Sequence, residues 1–246
     1  MDKQYDKVAI VTGASRGIGA AIAQRLANDG FTVIVNYAGS AASAQTVVQE
    51  IERKGGRAVA AQADVADPEA VKRMFDSAEA AFGGVDVLVN NAGIMENAPL
   101  AEVTDESFDR HIAINLKGTF NGLREAAKRL RNGGRIINFS SSVIGLYQPN
   151  YAVYAATKGA VEAMTHVLSK EMRGRSITVN SVAPGPTGTE LFLNGKAQAV
   201  IETLAKLSPL ERLGAPAEIA AAVSFLAGPD GGWINGQVLR ANGGAI

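Results

Sequence analysis

The chain has 246 residues with Lys plus Arg and Asp plus Glu at 24 each, so no net field draws it to nucleic acid or to an anionic membrane. It has no cysteine, which excludes disulfides, thiolate nucleophiles and cysteine-held metal clusters and fits a reducing compartment. The length suits one α/β domain over 1–246; the charged start MDKQYDK carries no apolar signal segment and no apolar run reaches roughly 18 residues, so the expectation is a cytoplasmic protein acting on a small molecule.

Short β-branched runs alternate with segments of helical period. VAIVT (8–12), FTVIVN (31–36), RAVAAQ (57–62), VDVLV (85–89), RIINFS (135–140), ITVNSV (177–182) and QVLRA (237–241) read as seven strands. Several are apolar at nearly every position, as a parallel sheet covered on both faces requires. Between them, GIGAAIAQRLANDG, SAASAQTVVQEIERKGG and DPEAVKRMFDSAEAAFG space apolar residues by three and four and end at glycine, and Asp67 caps a helix that starts with Pro68. The alternation predicts a Rossmann-type, doubly wound parallel sheet of about seven strands with helices on both faces. PGPTGTELFLNGKAQAV (184–200) is irregular and follows a strand, which suits a lid, with a substrate loop over about 186–208.

TGASRGIG (12–19) closes the first strand and opens the first helix. Gly13, Gly17 and Gly19 allow a sharp turn and close approach to a pyrophosphate at the helix N-terminus, although a tight strand–helix turn would use the same glycines. After the second strand an NAD site presents an acid to the adenosine ribose, whereas NYAGS presents Asn36, Tyr37 and Ser40, with Arg16 in the glycine loop. The missing acid predicts NADP(H) over NAD(H), with Asn36→Asp expected to weaken NADPH; the bland alternative is that Arg16 is a solvated charge and Asn36 merely ends a strand. At the end of the third strand Asp64 can accept from an adenine amino group and the Val65 N–H can donate to the ring. In NNAG (90–93) the amides suit either ligand approach or bracing of loops.

Tyr147, Tyr151 and Tyr154 follow the run Ser140 to Ser142. Only Tyr154 has a lysine four residues on, Lys158, one helical turn away on the same face. That ammonium would lower a phenol pKa that starts near about 10 and so tune the phenol to exchange a proton at neutral pH. Ser141, thirteen residues before Tyr154, can donate to the same substrate oxygen; Ser142, at twelve, is the alternative. His111 and His166 are isolated in helical segments, as packed or solvated side chains, and no metal site is expected.

TGxxxGIG, NNAG, an asparagine in the following helix (NLKG, Asn115), the serine thirteen before YxxxK, PGxxxT (Pro184, Gly185, Thr189) and the terminal INGQVLRANGG occur in this order. Together they resemble the short-chain dehydrogenase/reductase family from about residue 7 onward, and within it the 3-oxoacyl-acyl-carrier-protein reductase-like group. The resemblance implies Tyr154 as acid/base, Lys158 as its tuner and a ribose ligand, Ser141 as carbonyl positioner, Asn115 as anchor of a proton-relay water and Thr189 against the nicotinamide carboxamide. It extends the cofactor bed to Ser15, Ile18, Asn91, Ala92, Gly93, Pro184, Gly185 and Thr187. It also implies a homotetramer, to which apolar helices around 104–131 and 152–172 add support. Asn242 stands where the family often has Asp before GG.

These readings converge on NADPH-dependent reduction of a ketone, a 3-oxoacyl thioester among the options, with Tyr154 as general acid. The alternatives are an inactive dinucleotide-binding regulator or scaffold, and epimerase or dehydratase chemistry on the same fold, whose members are longer. The pocket is expected between Ile144 to Tyr151, Gly93 to Asn97 and the 186–208 segment with Leu191, Phe192 and Leu193. An acyl-carrier-protein partner would need a basic entrance, for which Arg124, Lys128, Arg129 and Arg131 are candidates against the reading of a solvated helix face.

Overall fold

A computed structural model describes residues 7–246; residues 1–6, which hold most of the charged N-terminal stretch, lie outside the described residues. Seven strands, β1 (Val8–Val11), β2 (Thr32–Tyr37), β3 (Arg57–Gln62), β4 (Val85–Asn90), β5 (Leu130–Phe139), β6 (Thr178–Pro184) and β7 (Val238–Ala241), form one sheet in the order β3-β2-β1-β4-β5-β6-β7. Every pairing is parallel. The chain leaves β1 toward β2 on one side and later returns to β4 on the other, so the connections diverge at the carboxyl ends of β1 and β4. In doubly wound sheets that divergence opens a crevice for ligands.

Helices α1 (Gly17–Asn28) and α2 (Ala41–Arg53) cover one face of the sheet, joined by α10 (Pro216–Ala227); α3 (Pro68–Phe82), α5 (Gly118–Arg129) and α7 (Ala152–Glu171) cover the other. Strand residues alternate between the layers: Ala9, Val11, Val33 and Val35 pack toward α1, while Val8, Ile10, Ile34 and Leu88 pack toward α3. Ile10, Leu88 and Ile136 are fully buried, and each such side chain stabilises the fold by about 1.5–3 kcal/mol. The Asp67 side chain accepts from the Glu69 N–H at 2.9 Å ahead of Pro68, the cap read from sequence.

Strand β5 begins at Leu130, five residues before the expected start, because the ladder with β4 resumes on the far side of a register shift at Val85 and Val87. The glycines there are compatible with pairing, since a Cβ on Gly134 would stand 2.7 Å from the Asp86 carbonyl oxygen. The segment after β6 carries two short helices, α8 (Glu190–Leu193) and α9 (Gln198–Ala205), and none of their residues is buried. Remaining helices are a 3-10 turn at Leu100–Glu102, α4 (Asp105–His111), which runs through a π turn at Ile112–Lys117 into α5, and α6 (Val143–Leu146).

Candidate active site

The crevice between β1 and β4 is floored by the glycine loop. Gly13 and Gly17 have φ of +62° and +57°, which a Cβ would strain, and a Cβ on Gly19 would lie 2.3 Å from the Gly13 carbonyl oxygen. The loop is tied from below: Thr12 Oγ1 accepts from the N–H groups of Asn91 and Ala92 at 3.0 Å, and Asn91 Nδ2 donates to the Thr12 carbonyl at 2.9 Å. Asn90 Nδ2 donates to Asn138 Oδ1 at 2.9 Å. The side-chain amides of NNAG therefore brace loops, and Gly93 is the member left for close approach. Ser15, Arg16, Gly17, Ile18, Ser40, Asp64, Val65, Ala92 and Gly93 line one groove with Gly13, Gly19 and Asn91. The glycine-rich backbone of that groove, ending on the α1 N-terminus, fits a dinucleotide pyrophosphate.

Two residues expected in this bed serve elsewhere. Tyr37 continues the face of Val33 and Val35, and its ring packs on the α1 layer because successive strand residues alternate sides. Asn36 borders the groove, yet only 1% of it is exposed and its polar atoms are committed. Its Oδ1 accepts from the Gly13 N–H at 3.2 Å, and its Nδ2 donates to the carbonyls of Ala63 at 3.0 Å and Ala61 at 3.2 Å. Asn36 thus locks the glycine loop to the end of β3, so the expected effect of Asn36→Asp on a ribose phosphate gives way to an effect on the fold. Arg16 is exposed and pairs with Glu190 at 3.2 Å.

Along the crevice the groove runs into a chamber at the end of β5, the two sharing Ile18, Asn91, Gly93, Ile94, Thr189 and Leu191. The serine run resolves by direction. Ser140 Oγ donates to Glu162 Oε1 at 2.6 Å and Ser142 Oγ donates to the Ala183 carbonyl at 3.2 Å, both buried, whereas half-buried Ser141 accepts from the Val143 N–H at 3.3 Å, lines the chamber with Tyr154 and acts to lower its phenol pKa. Helix α7 is fastened to β5 over three successive turns: Lys158 Nζ donates to the Phe139 carbonyl at 2.8 Å, Glu162 accepts from Ser140, and Thr165 Oγ1 accepts from Asn138 Nδ2 at 2.9 Å. That ladder sets where Tyr154 stands relative to Ser141.

The expected tuning of Tyr154 by Lys158 is not what the chain alone produces. Burial pushes the Tyr154 phenol up to about 12, with the Ser141 hydrogen bond acting the other way, and burial pulls Lys158 down to about 8. The ammonium lies 5.6 Å from the ring centroid and spends a proton on the Phe139 carbonyl, so loss of water outweighs its field at the phenol. A phenol that holds its proton at neutral pH is a proton donor, which is the role carbonyl reduction asks of it.

Asn115 lies in the π turn, a widened turn common at functional sites. Its Oδ1 accepts from the Ile94 N–H at 2.8 Å and its Nδ2 donates to the Ile94 carbonyl at 2.9 Å, so the side chain clamps the chamber wall. His111 was legible only as a packed histidine, but it does more: Nε2 accepts from the Glu96 N–H at 3.2 Å and Nδ1 bonds the Ser107 carbonyl at 2.8 Å, fixing the same wall. Glu162 and the His111 contact to Glu96 had no local motif to announce them, because their partners lie 22 and 15 residues away. Asn242 donates from Nδ2 to Ser142 Oγ at 3.0 Å and accepts from the Gly244 N–H at 3.0 Å, so the amide supplies a hydrogen that a carboxylate there would not.

Pro184, Gly185, Thr187 and Thr189 line the chamber, with Thr189 also in the groove. The rest of the wall is largely apolar: Ile94, Met95, Leu146, Tyr151, Leu191, Phe192, Leu204 and Leu207. Tyr147 and Leu193 are turned outward. Of the candidate basic entrance, Arg124 stacks on the Phe120 ring at 5.2 Å and shares a groove of α5 and α7 with Lys128, and neither lines the chamber. Arg129 is held by Glu79 at 2.6 Å, Asp76 at 2.7 Å and Glu125 at 3.2 Å, and Arg131 by Asp86 at 2.8 Å, at the start of β5 and so at the opposite end of the strand from the chamber. His166 is exposed, and among the described residues no cluster of His, Cys, Asp and Glu could hold a metal ion. Nor is any described helix long and apolar enough to cross a membrane.

A family model described as "Enoyl-(Acyl carrier protein) reductase" matches residues 13–245. A Picea abies protein named "Short-chain type dehydrogenase/reductase" is 46% identical over 98% of this chain and 92% of its own length. The Arabidopsis thaliana "NADPH-dependent aldehyde reductase-like protein, chloroplastic" is 45% identical over 98% of this chain and 94% of its own. A solved short-chain dehydrogenase from Burkholderia cenocepacia J2315, in complex with NADP, superposes with a TM-score of 0.92 at 42% identity, covering 97% of both chains.

Proposed function

The chain belongs to the short-chain dehydrogenase/reductase family, and from that premise we propose that it is an NADPH-dependent reductase of apolar ketones or aldehydes, with Tyr154 as general acid. The observation that carries the reading is that Ser141, Tyr154 and Lys158 line one apolar chamber that opens into the glycine-loop groove. A carbonyl oxygen seated there receives a hydrogen bond from Ser141 and the proton of Tyr154. Bound NADPH supplies the hydride. Lys158, one turn along α7, offsets the phenolate left behind until solvent returns the proton, and its ammonium lies beside Gly93 where a ribose would pass. Arg16, Ser40 and the N-terminus of α2 face the groove without a carboxylate on β2, which favours a 2′-phosphate.

The finer grouping with 3-oxoacyl-acyl-carrier-protein reductases draws no support from the paired arginines at the end of α5 and the start of β5, so a free carbonyl compound is the substrate class favoured here. A panel of cyclic ketones, quinones, aldehydes, a 3-oxoacyl thioester and an enoyl thioester, each with NADPH and NADH, tests the reading. Turnover of several carbonyls with at least about tenfold preference for NADPH in kcat/KM is expected. Turnover of the enoyl thioester alone, or an NADH preference, would overturn it. The protein is further read as a homotetramer: Phe120 and Val167 are exposed on α5 and α7, and Trp233 and Phe225 on the α10–β7 side. Light scattering that returned 25.5 kDa at micromolar concentration would refute assembly.

A further inference from the structure

Resting on the reading of Arg16 as the cation that meets the cofactor's 2′-phosphate, we propose that Glu190 is an internal stand-in for that phosphate, so that cofactor binding and release of the 186–208 lid are coupled through Arg16. The pair joins residues 174 apart in sequence, one in the glycine loop and one in the first turn of α8, and both line the cofactor groove. It therefore forms only when the lid lies over the groove. Thr189, next to Glu190, is against the glycine loop as well: a Cβ on Gly17 would stand 3.6 Å from its Cγ2.

The rest of the lid is weakly held. From Gly188 to Leu207 no residue is buried, and the base of the lid is fixed by main-chain bonds of Gly188 and Gly214 at 2.9 Å, which lie away from the groove. A segment with so little apolar burial opens at small free-energy cost, so even an exposed ion pair biases it. With side chains 70% and 58% exposed, the Arg16–Glu190 pair shifts such an equilibrium by up to about fivefold. A cofactor phosphate of charge near −2 offers Arg16 a stronger, bidentate partner than a carboxylate of charge −1. Binding then exchanges one pair for another and leaves Glu190 beside the phosphate, which pushes the lid end outward. A cofactor without the 2′-phosphate has nothing with which to displace Glu190.

The test is fluorescence titration of NADPH and NADH with the full-length protein and its Glu190→Gln, Arg16→Ala and double variants, together with tryptic cleavage after Lys206 in the presence of 2′,5′-ADP or 5′-AMP. Glu190→Gln is expected to lower the NADPH Kd about two- to fivefold and leave the NADH Kd unchanged, so that the ratio moves. Arg16→Ala should raise the NADPH Kd by about tenfold and abolish the effect of Glu190→Gln. Lid cleavage should accelerate with 2′,5′-ADP and not with 5′-AMP, and in Glu190→Gln should be fast without either. If Arg16→Ala weakens NADPH selectively while Glu190→Gln changes nothing, or shifts NADPH and NADH equally, the stand-in is overturned and the reading of Arg16 survives. If Arg16→Ala spares NADPH, the reading of Arg16 fails and the stand-in falls with it.

Discussion

The wall made by β5 and α7 and the wall made by the 186–208 segment face one another across the chamber, and they differ in what holds them. On the first, Lys158 and Thr165 reach Phe139 and Asn138 of β5 and Glu162 reaches Ser140 just past its end, above a core that includes Ile136, Val161 and Val179. On the second, α8 and α9 bury no residue, and Leu191 and Leu193 are 47% and 38% exposed. Fixed geometry surrounds Tyr154, and loosely held apolar surface makes the facing wall. Substitutions on the first wall should therefore cost rate or stability, and those of apolar residues on the second should move substrate preference.

The largest effect is expected from Tyr154→Phe, which removes one oxygen and leaves the ring packed on Tyr151, whose centroid is 6.5 Å away. kcat should fall by on the order of 10² to 10⁴, the range for a lost general acid, while NADPH titration and melting stay near the unmodified protein. Steady-state kinetics on any reduced ketone check it, and near-normal turnover would remove Tyr154 from its role.

Next comes Asn36→Asp, which turns two donated hydrogen bonds into a buried carboxylate facing the carbonyls of Ala61 and Ala63. A loss of about 3 kcal/mol is expected, hence a Tm lower by roughly 6–12 °C, with NADPH and NADH affinity falling together. A selective loss of NADPH at unchanged Tm would restore the residue to the phosphate site.

The Lys158 ammonium gives a pH test. Its pKa in the free protein is drawn down from 10.5 to about 8, so the charge that favours an anionic cofactor is present below about pH 8 and is lost above it. The NADPH Kd should rise by up to about tenfold per pH unit above 8, and the trend should vanish in Lys158→Met. For stability the sign is opposite. The unfolded chain holds this proton up to about pH 10.5 and the folded one only to about 8, so Lys158 adds stability as pH rises between those values. Tyr154, raised from 10.0 to about 12, removes stability as pH rises from 10 to 12. Melting curves across pH 7 to 11 should thus rise from pH 8 and pass through a maximum near about pH 10, where the Tyr154 loss overtakes the Lys158 gain.

The smallest effects belong to the lid. Leu191→Ala should shift KM among ketones a few-fold at a Tm change under about 2 °C, because exposed positions carry about 0.5 kcal/mol or less. A large Tm loss would mean that the lid is packed more firmly than its burial indicates.

Sequence by itself determined the seven strands, the Asp67–Pro68 helix start and the glycine loop, because each rests on periodicity or on residues adjacent in the chain. It also singled out Tyr154 and Lys158, whose spacing of four is a local fact once a helix is granted. Tertiary structure alone distinguished the surroundings of Ser140, Ser141 and Ser142, since all three share one strand end and only the positions of Glu162, Ala183 and Val143 tell them apart. It decided that Asn36 and Asn91 brace the glycine loop, that Arg129 and Arg131 are paired at the far end of the sheet, and that Glu190 reaches Arg16. A hydrogen bond or an ion pair depends on distance and direction between groups far apart in the chain, and no residue's type records where its partner will stand.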